Sequence, residues 1–372
     1  TPTVTVPVSL VVTAAQTVTI APTALSFAYQ LGAAAPAAQT LNITSTGGAV
    51  NVAVSSSSTT NWLSVTPTSG TTGASGTALP LTVSIIPASF TAAGTYTGTI
   101  TITPNMQPAI TVQVTVTVSG VPMPMPVTIS NSASGGFGPI APGELITIKG
   151  TNLGPATASI FSVGPGGTVS NTLAGVQVMF DSSPGTPTYV SASQINVIVP
   201  YEIAGRATTT VTVIYSSQTS AGISQQVANQ APGIYTFSST GVGQAAVLNQ
   251  NGTFNGPPTG LVIGGQTVTT VPAPQGTVIA VFMTGGGQSN PASTSGTVTP
   301  TGTTLYKIPG TVTATINGVN AIVEFAGEAP ALVTGVIQVN LLVPTGVTGS
   351  GLPLSITING VTTLTGPTVS VQ

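Results

Sequence analysis

The sequence predicts an all-β protein made of three tandem immunoglobulin-like β-sandwiches, preceded by one extra N-terminal strand. Apolar and polar residues alternate with a period of two in most segments, such as residues 111–118, and this pattern is typical of strands with one buried face. Turn dipeptides such as Asn317-Gly318 and Asn359-Gly360 recur between these segments, at a spacing typical of sandwiches. Helical spacing is not sustained over ten residues anywhere, so we expect no long helix.

Charged residues are almost absent from the chain. Its 372 residues include 3 Lys and Arg and 5 Asp and Glu, so 2% are charged, against roughly 25% in ordinary soluble domains. There is no His and no Cys, which excludes histidine-dependent serine triads, imidazole or thiolate metal ligands, and disulfides. Three cations cannot neutralise a run of phosphates, so we expect no nucleic-acid partner. We predict that the protein is not an enzyme and needs no cofactor or metal.

The same composition bears on location and self-association. The longest apolar run lies at about residues 278–283, far short of the roughly 20 residues of a membrane helix, so we expect no membrane span. Solubility depends on Thr, Ser, Asn and Gln, which favours a secreted or cell-surface location. The net charge of -2 provides little repulsion between copies, and therefore permits self-association.

The extra strand lies in residues 1–16. Its alternating apolar side chains resemble those of the strand at 110–118; they are Val4, Val6, Val8, Leu10 and Val12. A strand without a sheet leaves backbone groups unpaired. It either closes a sandwich that precedes it, or pairs with a neighbouring molecule through residues 1–13 by donor-strand complementation, which builds a head-to-tail filament. A disordered or intramolecularly docked arm is the third interpretation.

Residues 17–119 are predicted to form the first sandwich. Residues 62–67 (Trp-Leu-Ser-Val-Thr-Pro) and 94–100 (Gly-Thr-Tyr-Thr-Gly-Thr-Ile) resemble elements of the BACON domain, a bacterial immunoglobulin-like module. The resemblance implies an extracellular accessory module that binds carbohydrate or mucin.

Two aromatic residues of this sandwich are candidates for glycan contact. Trp62 is the only tryptophan, and Trp62 with Tyr96 could stack on a sugar ring if exposed. The alternative is that the single tryptophan packs in the core of a small sandwich.

Residues 120–126 are predicted to form a stiff linker. Prolines alternate with other residues here, and such a sequence favours an extended polyproline conformation.

Residues 127–229 are predicted to form the second sandwich. Residues 141–154 (Ala-Pro-Gly-Glu-Leu-Ile-Thr-Ile-Lys-Gly-Thr-Asn-Leu-Gly) resemble the opening of a TIG/IPT domain, which is an immunoglobulin-like module.

Residues 230–372 are predicted to repeat the second sandwich. Residues 273–282 are similar to 141–148, and residues 337–344 are similar to the segment that ends at Pro200. Together, residues 127–372 resemble the uncharacterised C-terminal domain family of acidobacterial secreted proteins. That resemblance implies a secreted or surface location and no particular activity.

The few charged residues are predicted to lie at the surface. Glu324 and Glu328 flank a short Phe-Ala-Gly segment that is typical of a strand end and turn, so we expect solvated carboxylates. Asp181 opens a turn-forming string. Glu202 and Arg206 are expected to form a surface ion pair.

Two functional hypotheses follow from the sequence. The leading one is an extracellular structural or adhesive protein, a pilus-like or matrix filament subunit whose main partner is itself. The alternative is a secreted protein that binds carbohydrate or mucin through its BACON-like domain. Asn42 and Asn251 fit the N-glycosylation pattern.

Overall fold

A computed structural model describes residues 2–10, 16–73 and 76–372. The chain divides into two compact units, Thr1–Val121 and Pro122–Gln372. Strands dominate both units, and the helical segments of the described residues are short 3-10 turns at Pro87–Ser89, Pro165–Gly167 and Tyr201–Ile203. The predicted all-β, immunoglobulin-like fold class is therefore confirmed. Among these residues, no helix has the length and apolar character needed to cross a membrane.

The first unit is a sandwich of a four-stranded and a five-stranded sheet, with strand orders β1-β3-β7-β5 and β2-β9-β8-β4-β6. Its strands are β1 Val18–Ala21, β2 Ala24–Gln30, β3 Gln39–Ser45, β4 Asn51–Ser58, β5 Leu63–Thr66, β6 Ser69–Thr71, β7 Leu79–Ile85, β8 Gly94–Pro104 and β9 Ile110–Ser119.

The core of the first unit lies between these two sheets. In β2, β3, β8 and β9, alternate residues are buried, as the period of two predicts. Leu41 and Leu81 from one sheet and Ile100 and Val114 from the other are fully buried. Phe90 lies at one end of this core, with its ring centroid 5.8 Å from that of Trp62.

The second unit contains two copies of one sandwich topology, here called the first repeat (residues 122–229) and the second repeat (residues 230–372). The first repeat comprises β10 Met125–Asn131, β11 Leu145–Thr151, β12 Ser159–Ile160, β13 Gln177–Phe180, β14 Ser183–Pro184, β15 Thr186–Val190, β16 Gln194–Ile198, β17 Thr208–Tyr215, β18 Gln218–Thr219 and β19 Ile223–Gln226. The second comprises β20 Gly233–Ile234, β21 Gly243–Gln244, β22 Val247–Asn249, β23 Leu261–Ile263, β24 Gln266–Val268, β25 Val278–Thr284, β26 Val312–Ile316, β27 Val319–Glu328, β28 Ile337–Leu342, β29 Gly349–Ile358, β30 Val361–Thr362 and β31 Pro367–Val371.

Strand pairing supports the predicted duplication. In the first repeat β11 lies between β10 and β16, and β17 pairs with β13, β18 and β19. In the second repeat β25 lies between β20 and β28, and β29 pairs with β26, β30 and β31. One difference is that β14 and β15 are separate strands, whereas the single long strand β27 pairs with both β26 and β28.

Each repeat has its own hydrophobic core, and the two cores lie on either side of the predicted boundary at 229/230. The repeats nevertheless form one compact unit. Residues of the first repeat bond to the second through the backbone, with Val169 N–H donating to the Gly296 carbonyl at 2.8 Å and Val298 N–H to the Gly167 carbonyl at 2.8 Å.

Two predicted segments lie at the ends of the first unit. The predicted linker 120–126 is shorter, because β10 begins at Met125 and pairs with β11; Pro126 is accommodated since β10 is an edge strand with a bulge at this point. Of the predicted extra strand, the described residues 2–10 belong to no strand, and residues 1 and 11–15 lie outside the described residues.

Candidate functional site

The junction of the two repeats contains a buried polar cluster built around two glutamates. Glu144 precedes β11 of the first repeat, and Glu328 ends β27 of the second. Each is 1% exposed. Burial of a carboxyl group is costly unless it is hydrogen-bonded and neutral, so the partners of each glutamate decide its chemical state.

Glu144 is held by the first repeat and connects to the second through Asn131. Its Oε1 accepts a hydrogen bond from Asn131 Nδ2 at 2.8 Å, and its Oε2 accepts one from the Ala141 N–H at 2.7 Å. Asn131 Nδ2 also donates to the Ala231 carbonyl at 3.0 Å. Burial raises the pKa of Glu144 to about 8, although the bonds from Ala141 and Asn131 lower it. This carboxyl is therefore mainly protonated at neutral pH.

Glu328 is held by residues of both repeats. Its Oε1 accepts hydrogen bonds from the Tyr201 hydroxyl at 2.5 Å and from Ser293 Oγ at 3.1 Å, and its Oε2 accepts one from the Gly335 N–H at 2.7 Å. Burial raises the pKa of Glu328, and these three bonds lower it. Burial and the adjacent Glu328 also raise the pKa of Tyr201 well above its usual value.

Thr284 links the surroundings of the two glutamates. Its Oγ1 accepts from the Leu145 N–H of the first repeat at 2.8 Å and donates to the Gly335 carbonyl of the second at 2.8 Å. Gly335 has a φ of +103°, and a Cβ there would lie 2.3 Å from the Gly143 carbonyl oxygen. The two repeats thus approach backbone to backbone at this point, which a larger side chain would prevent.

This cluster holds the repeats together and has little access to solvent. A cleft of about 350 Å³ reaches Asn131 and Glu144 from the surface. Its outer walls carry exposed apolar side chains, among them Phe137, Leu364 and Val361. Within the described residues, no three Asp or Glu side chains are grouped in a way that could hold a metal ion.

The surface charges differ in part from the sequence prediction. Glu324 is exposed as expected, but Glu328 is not the solvated loop carboxylate that we predicted, because β27 continues through it into the junction. The predicted pair of Glu202 and Arg206 is also wrong. Arg206 Nη1 instead lies 2.8 Å from Asp181 Oδ2, and Glu202 Oε2 accepts from Ser295 Oγ at 2.7 Å.

Asp181 occupies a turn, as predicted, with a φ of +53°. Its Oδ1 accepts from the Thr210 N–H and its Oδ2 from Thr209 Oγ1, both at 2.9 Å, as well as from Arg206. These bonds, led by the one from Thr210, lower the pKa of Asp181. The carboxylate therefore ties the turn after β13 to the start of β17.

Of the two positions considered for Trp62, the structure shows the core position and not an exposed glycan platform. Trp62 is 0% exposed, and its indole N–H has no hydrogen-bond partner among the described residues. Tyr96 is half-buried, packs edge-on against Phe90 at 5.0 Å between ring centroids, and donates its hydroxyl proton to the Ala92 carbonyl at 2.9 Å. Trp62 and Tyr96 therefore do not form a shared exposed surface on which a sugar ring could stack.

The predicted self-assembly residues lie at the surface. Val4, Val6, Val8 and Leu10 are 82%, 73%, 91% and 85% exposed, and none belongs to a sheet. Val12 lies outside the described residues.

The two candidate N-glycosylation residues are exposed. Asn42 lies on β3 and Asn251 in the turn after β22, where its Oδ1 accepts from Thr253 Oγ1 at 2.7 Å. Glycosylation at either residue stays a prediction.

The sequence predicted the strands that carry the polar cluster but not the cluster itself. Glu144 lies in the segment that resembles a TIG/IPT opening, whereas Asn131 and Thr284 lie at the ends of β10 and β25. One sequence signal could have indicated the cluster: Glu144 is a rare charged residue, in a chain that is 2% charged, directly before an apolar strand, where a buried carboxyl needs hydrogen-bond partners.

One comparison with known proteins assigns a family to part of the chain. The IPT/TIG domain family matches residues 128–229. The first repeat therefore contains an IPT/TIG domain, as predicted. The resemblances of residues 17–119 to the BACON domain and of 127–372 to the acidobacterial family stay predictions. No curated protein matches the sequence.

Solved structures match parts of this chain at low identity and low TM-score. A Bacteroides ovatus GH5 xyloglucanase in complex with a XXXG heptasaccharide is 17% identical over 41% of this chain and 30% of its own length, with a TM-score of 0.22. The periplasmic chaperone SfaE is 10% identical over 57% and 100%, with a TM-score of 0.23. The Salmonella enterica SafA pilin in complex with the SafB chaperone is 11% identical over 58% and 99%, with a TM-score of 0.22. This chain spans under a third of the xyloglucanase, and similarity at this level says nothing about function.

Proposed function

We propose that this protein is a non-catalytic extracellular structural subunit that assembles head to tail into a filament through residues 1–13. One observation carries the proposal. Residues 2–10 form no strand, and their alternating apolar side chains at positions 4, 6, 8 and 10 are 73–91% exposed. Apolar side chains arranged with a period of two are suited to one face of a sheet, and here that sheet is not supplied by the chain that carries them.

The first unit does not need this segment for its own fold. Its sandwich already has both sheets, and β2 pairs in parallel with β9 while β1 pairs with β3. The segment is thus additional to a complete sandwich. Pairing it with the sheet edge of another molecule would satisfy its backbone groups and remove its apolar side chains from water.

The absence of charge supports association between copies. Residues 1–121 contain no Asp, Glu, Lys or Arg. Strand edges in many soluble proteins carry charges that prevent edge-to-edge pairing, and no such charge is present in residues 1–121. Like-charge repulsion between neighbouring copies is correspondingly small.

The competing hypotheses have less support. Binding of carbohydrate through Trp62 loses its basis, because the indole is buried. Catalysis has no histidine or cysteine to use. An extracellular location is supported by the composition and by the IPT/TIG domain, which is common in extracellular proteins.

Deletion of residues 1–13 tests this function. We expect the full chain to form regular fibres in electron microscopy and the deleted chain to stay monomeric by light scattering. Val6→Asp should also prevent assembly, because it would place a charge on the apolar face of the pairing strand. Thr5→Asp, its neighbour on the opposite face, is the matched control and should assemble.

Unchanged assembly of the deleted chain would refute the proposal. If the full chain itself stays monomeric at every concentration tested, the filament hypothesis is wrong.

A further inference from the structure

The two repeats can be aligned residue by residue through their central strands. The sequences Gln194-Ile195-Asn196 in β16 and Gln338-Val339-Asn340 in β28 occupy the same place in the topology. Ile195 pairs with Ile148, and Val339 pairs with Val281. Ile148 and Val281 are therefore equivalent positions. The residues that pair with them on the other side, Ile129 and Val247, are equivalent as well.

The first strands of the two repeats differ at one point. In the first repeat β10 continues from Pro126 to Ile129, and its only irregularity is a bulge at Val127. In the second repeat the same path is interrupted: β20 ends at Ile234, and pairing with β25 resumes in β22 at Val247. Residues 235–245 of the second repeat thus stand where the first repeat has Val127 alone. We call residues 235–245 the excursion.

The excursion seals the outer edge of the last strand of its own repeat. Its β21 runs parallel to β31. The Gly243 N–H donates to the Gly366 carbonyl at 2.9 Å, and the Ala245 N–H donates to the Thr368 carbonyl at 2.8 Å. Ala245 is fully buried. An extended segment with donors two residues apart therefore fits this edge, and the side chain of the donating Ala245 lies in the sandwich.

The equivalent edge of the first repeat can be located by its hydrogen bonds. The Ile140 N–H donates to the Gln226 carbonyl, as the Ala273 N–H does to the Ser370 carbonyl, both at 2.9 Å. Gln226 and Ser370 are thus equivalent. By the same alignment, Ser224 corresponds to Thr368 and Gly222 to Gly366. The carbonyls that β21 uses in the second repeat correspond to those of Gly222 and Ser224.

That edge of the first repeat is open. Among the described residues, no hydrogen bond is donated to the carbonyl of Gly222 or Ser224. The register of β19 against β17 alternates, so that the Ser224 carbonyl faces away from β17.

A groove of about 440 Å³ lies beside this edge. Its lining includes Val127 and Phe137, which are 70% and 76% exposed, together with the buried Ile129 and the exposed Ser224 and Gln226. We call it the β10–β19 groove. The second repeat fills the equivalent position with its own chain, and the first repeat leaves apolar side chains exposed there.

We propose that the β10–β19 groove of one molecule receives residues 4–10 of a second copy, lying parallel to β19 as β21 lies parallel to β31. This inference rests on the proposed filament function and adds the acceptor site to it. The N–H groups of alternate residues would donate to the Gly222 and Ser224 carbonyls, as those of Gly243 and Ala245 do in the second repeat.

The N-terminal segment has the chemistry that this edge requires. Pro7 has no N–H, so the donors must be the even-numbered residues, among them Val4, Val6 and Val8. In the excursion the donating Ala245 also buries its side chain, and the even-numbered residues of the segment are the apolar ones. In one register, therefore, the even-numbered residues of the segment both donate their N–H groups to the edge of β19 and direct their apolar side chains into the groove. The segment carries no charge that would oppose this pairing.

Filling the groove from within the chain tests the acceptor. In one variant the excursion sequence replaces Val127, and its control carries the same residues between Gly264 and Gly265, the exposed turn of the β23–β24 hairpin. We expect the first variant to stay monomeric and the control to form fibres. A point variant, Val127→Lys, should also stay monomeric, whereas Val262→Lys, at a site 75% exposed, should assemble.

Mixing separates the donor from the acceptor. The chain without residues 1–13 can only accept and the Val127→Lys chain can only donate, so we expect their mixture to give a 1:1 heterodimer by light scattering. A synthetic peptide of residues 2–12 should bind the chain that lacks residues 1–13. When that chain also carries Val127→Lys, the affinity for the peptide should fall by about a hundredfold or more.

The outcomes distinguish this inference from the proposed function. If the deleted chain is monomeric but both groove variants still form fibres, the segment uses another edge and the acceptor assignment is overturned. If the deleted chain itself forms fibres, the filament function through residues 1–13 fails as well.

Discussion

The two compact units are stabilised by different means although both are β-sandwich structures. The first, Thr1–Val121, contains no charged side chain, and its core consists of alternating apolar residues together with one buried tryptophan. The second, Pro122–Gln372, holds all the Lys, Arg, Asp and Glu of the chain and buries two of its glutamates where its repeats meet. A single sandwich can be closed by apolar packing, whereas two repeats joined across their loops must also satisfy the polar groups of those loops.

Trp62 allows the two units to be followed separately in the intact chain. It is the only tryptophan and lies in the first unit, so its fluorescence reports the unfolding of that unit in urea. Near-ultraviolet circular dichroism adds a signal from the second unit, which contains Tyr201, Tyr235 and three other tyrosines.

The largest expected effect is the loss of apolar packing in the first unit. Leu41 is fully buried between its sheets, and Leu41→Ala should lower the free energy of unfolding by about 2–5 kcal/mol. The Trp62 fluorescence transition should move to lower urea, while the signal from the second unit stays in place. Met106→Ala, at a side chain 96% exposed in the same unit, is the control and should change stability by less than about 0.5 kcal/mol. A shift of both transitions together would show that the units do not unfold independently.

The next effect is a pH dependence confined to the second unit. The folded protein keeps a proton on Glu144 up to about pH 8, whereas the unfolded chain releases it near 4.5. The stability that depends on this proton is fully present below pH 4.5 and is lost as the pH rises through about 8. The loss should be on the order of a few kcal/mol, and the raised pKa of Glu328 acts in the same direction.

Urea unfolding at a series of pH values measures this effect. The second unit should weaken between pH 4.5 and 8, and the Trp62 transition should stay constant. Glu144→Gln should flatten part of the dependence, since it removes one titrating group, whereas Glu324→Gln, at an exposed site of the same unit, should leave it unchanged. Equal pH dependence in both units would show that the buried glutamates of the second unit are not its cause.

A smaller effect is expected from one hydroxyl group at the junction. Tyr201→Phe removes the donor that lies 2.5 Å from Glu328 Oε1, which should destabilise the second unit by about 1–3 kcal/mol. It should also enlarge the total loss of stability as the pH rises, because the Tyr201 bond lowers the pKa of Glu328 and its removal widens the gap between the folded and unfolded pKa values.

Tyr215→Phe is the matched control for that measurement. Tyr215 is half-buried in the first repeat, and its hydroxyl has no hydrogen-bond partner among the described residues. An equal loss of stability in the two variants would mean that the bond to Glu328 contributes nothing specific.

Most of the fold could be predicted from local sequence. The segments at 39–45 and 111–118 alternate in sequence and alternate in burial, because a strand presents successive side chains to opposite faces. The duplication was visible in the similarity of residues 337–344 to those that end at Pro200. Pairing between distant segments was not visible in the sequence. It could therefore not be predicted that one long strand, β27, takes in the second repeat the place of the two strands β14 and β15 of the first.

The functional residues were harder to predict than the strands. Glu328 was expected in solvent because its neighbours resemble a turn, and Trp62 could have been either a core residue or a glycan platform. Both questions depend on what packs over the residue from elsewhere in the chain. For Glu328 this is Tyr201 of the other repeat, and for Trp62 it is Phe90.

The sequence by itself determined the β character of this protein, the near absence of charge and the alternation of apolar and polar residues at its N-terminal end, because these are properties of residue types and of their local order. Only the tertiary structure decided that Glu144 and Glu328 are buried at a junction, and that the edge of β19 is open while that of β31 is covered by the excursion. Burial and edge pairing are set by contacts between segments far apart in the chain, and no local pattern contains that information.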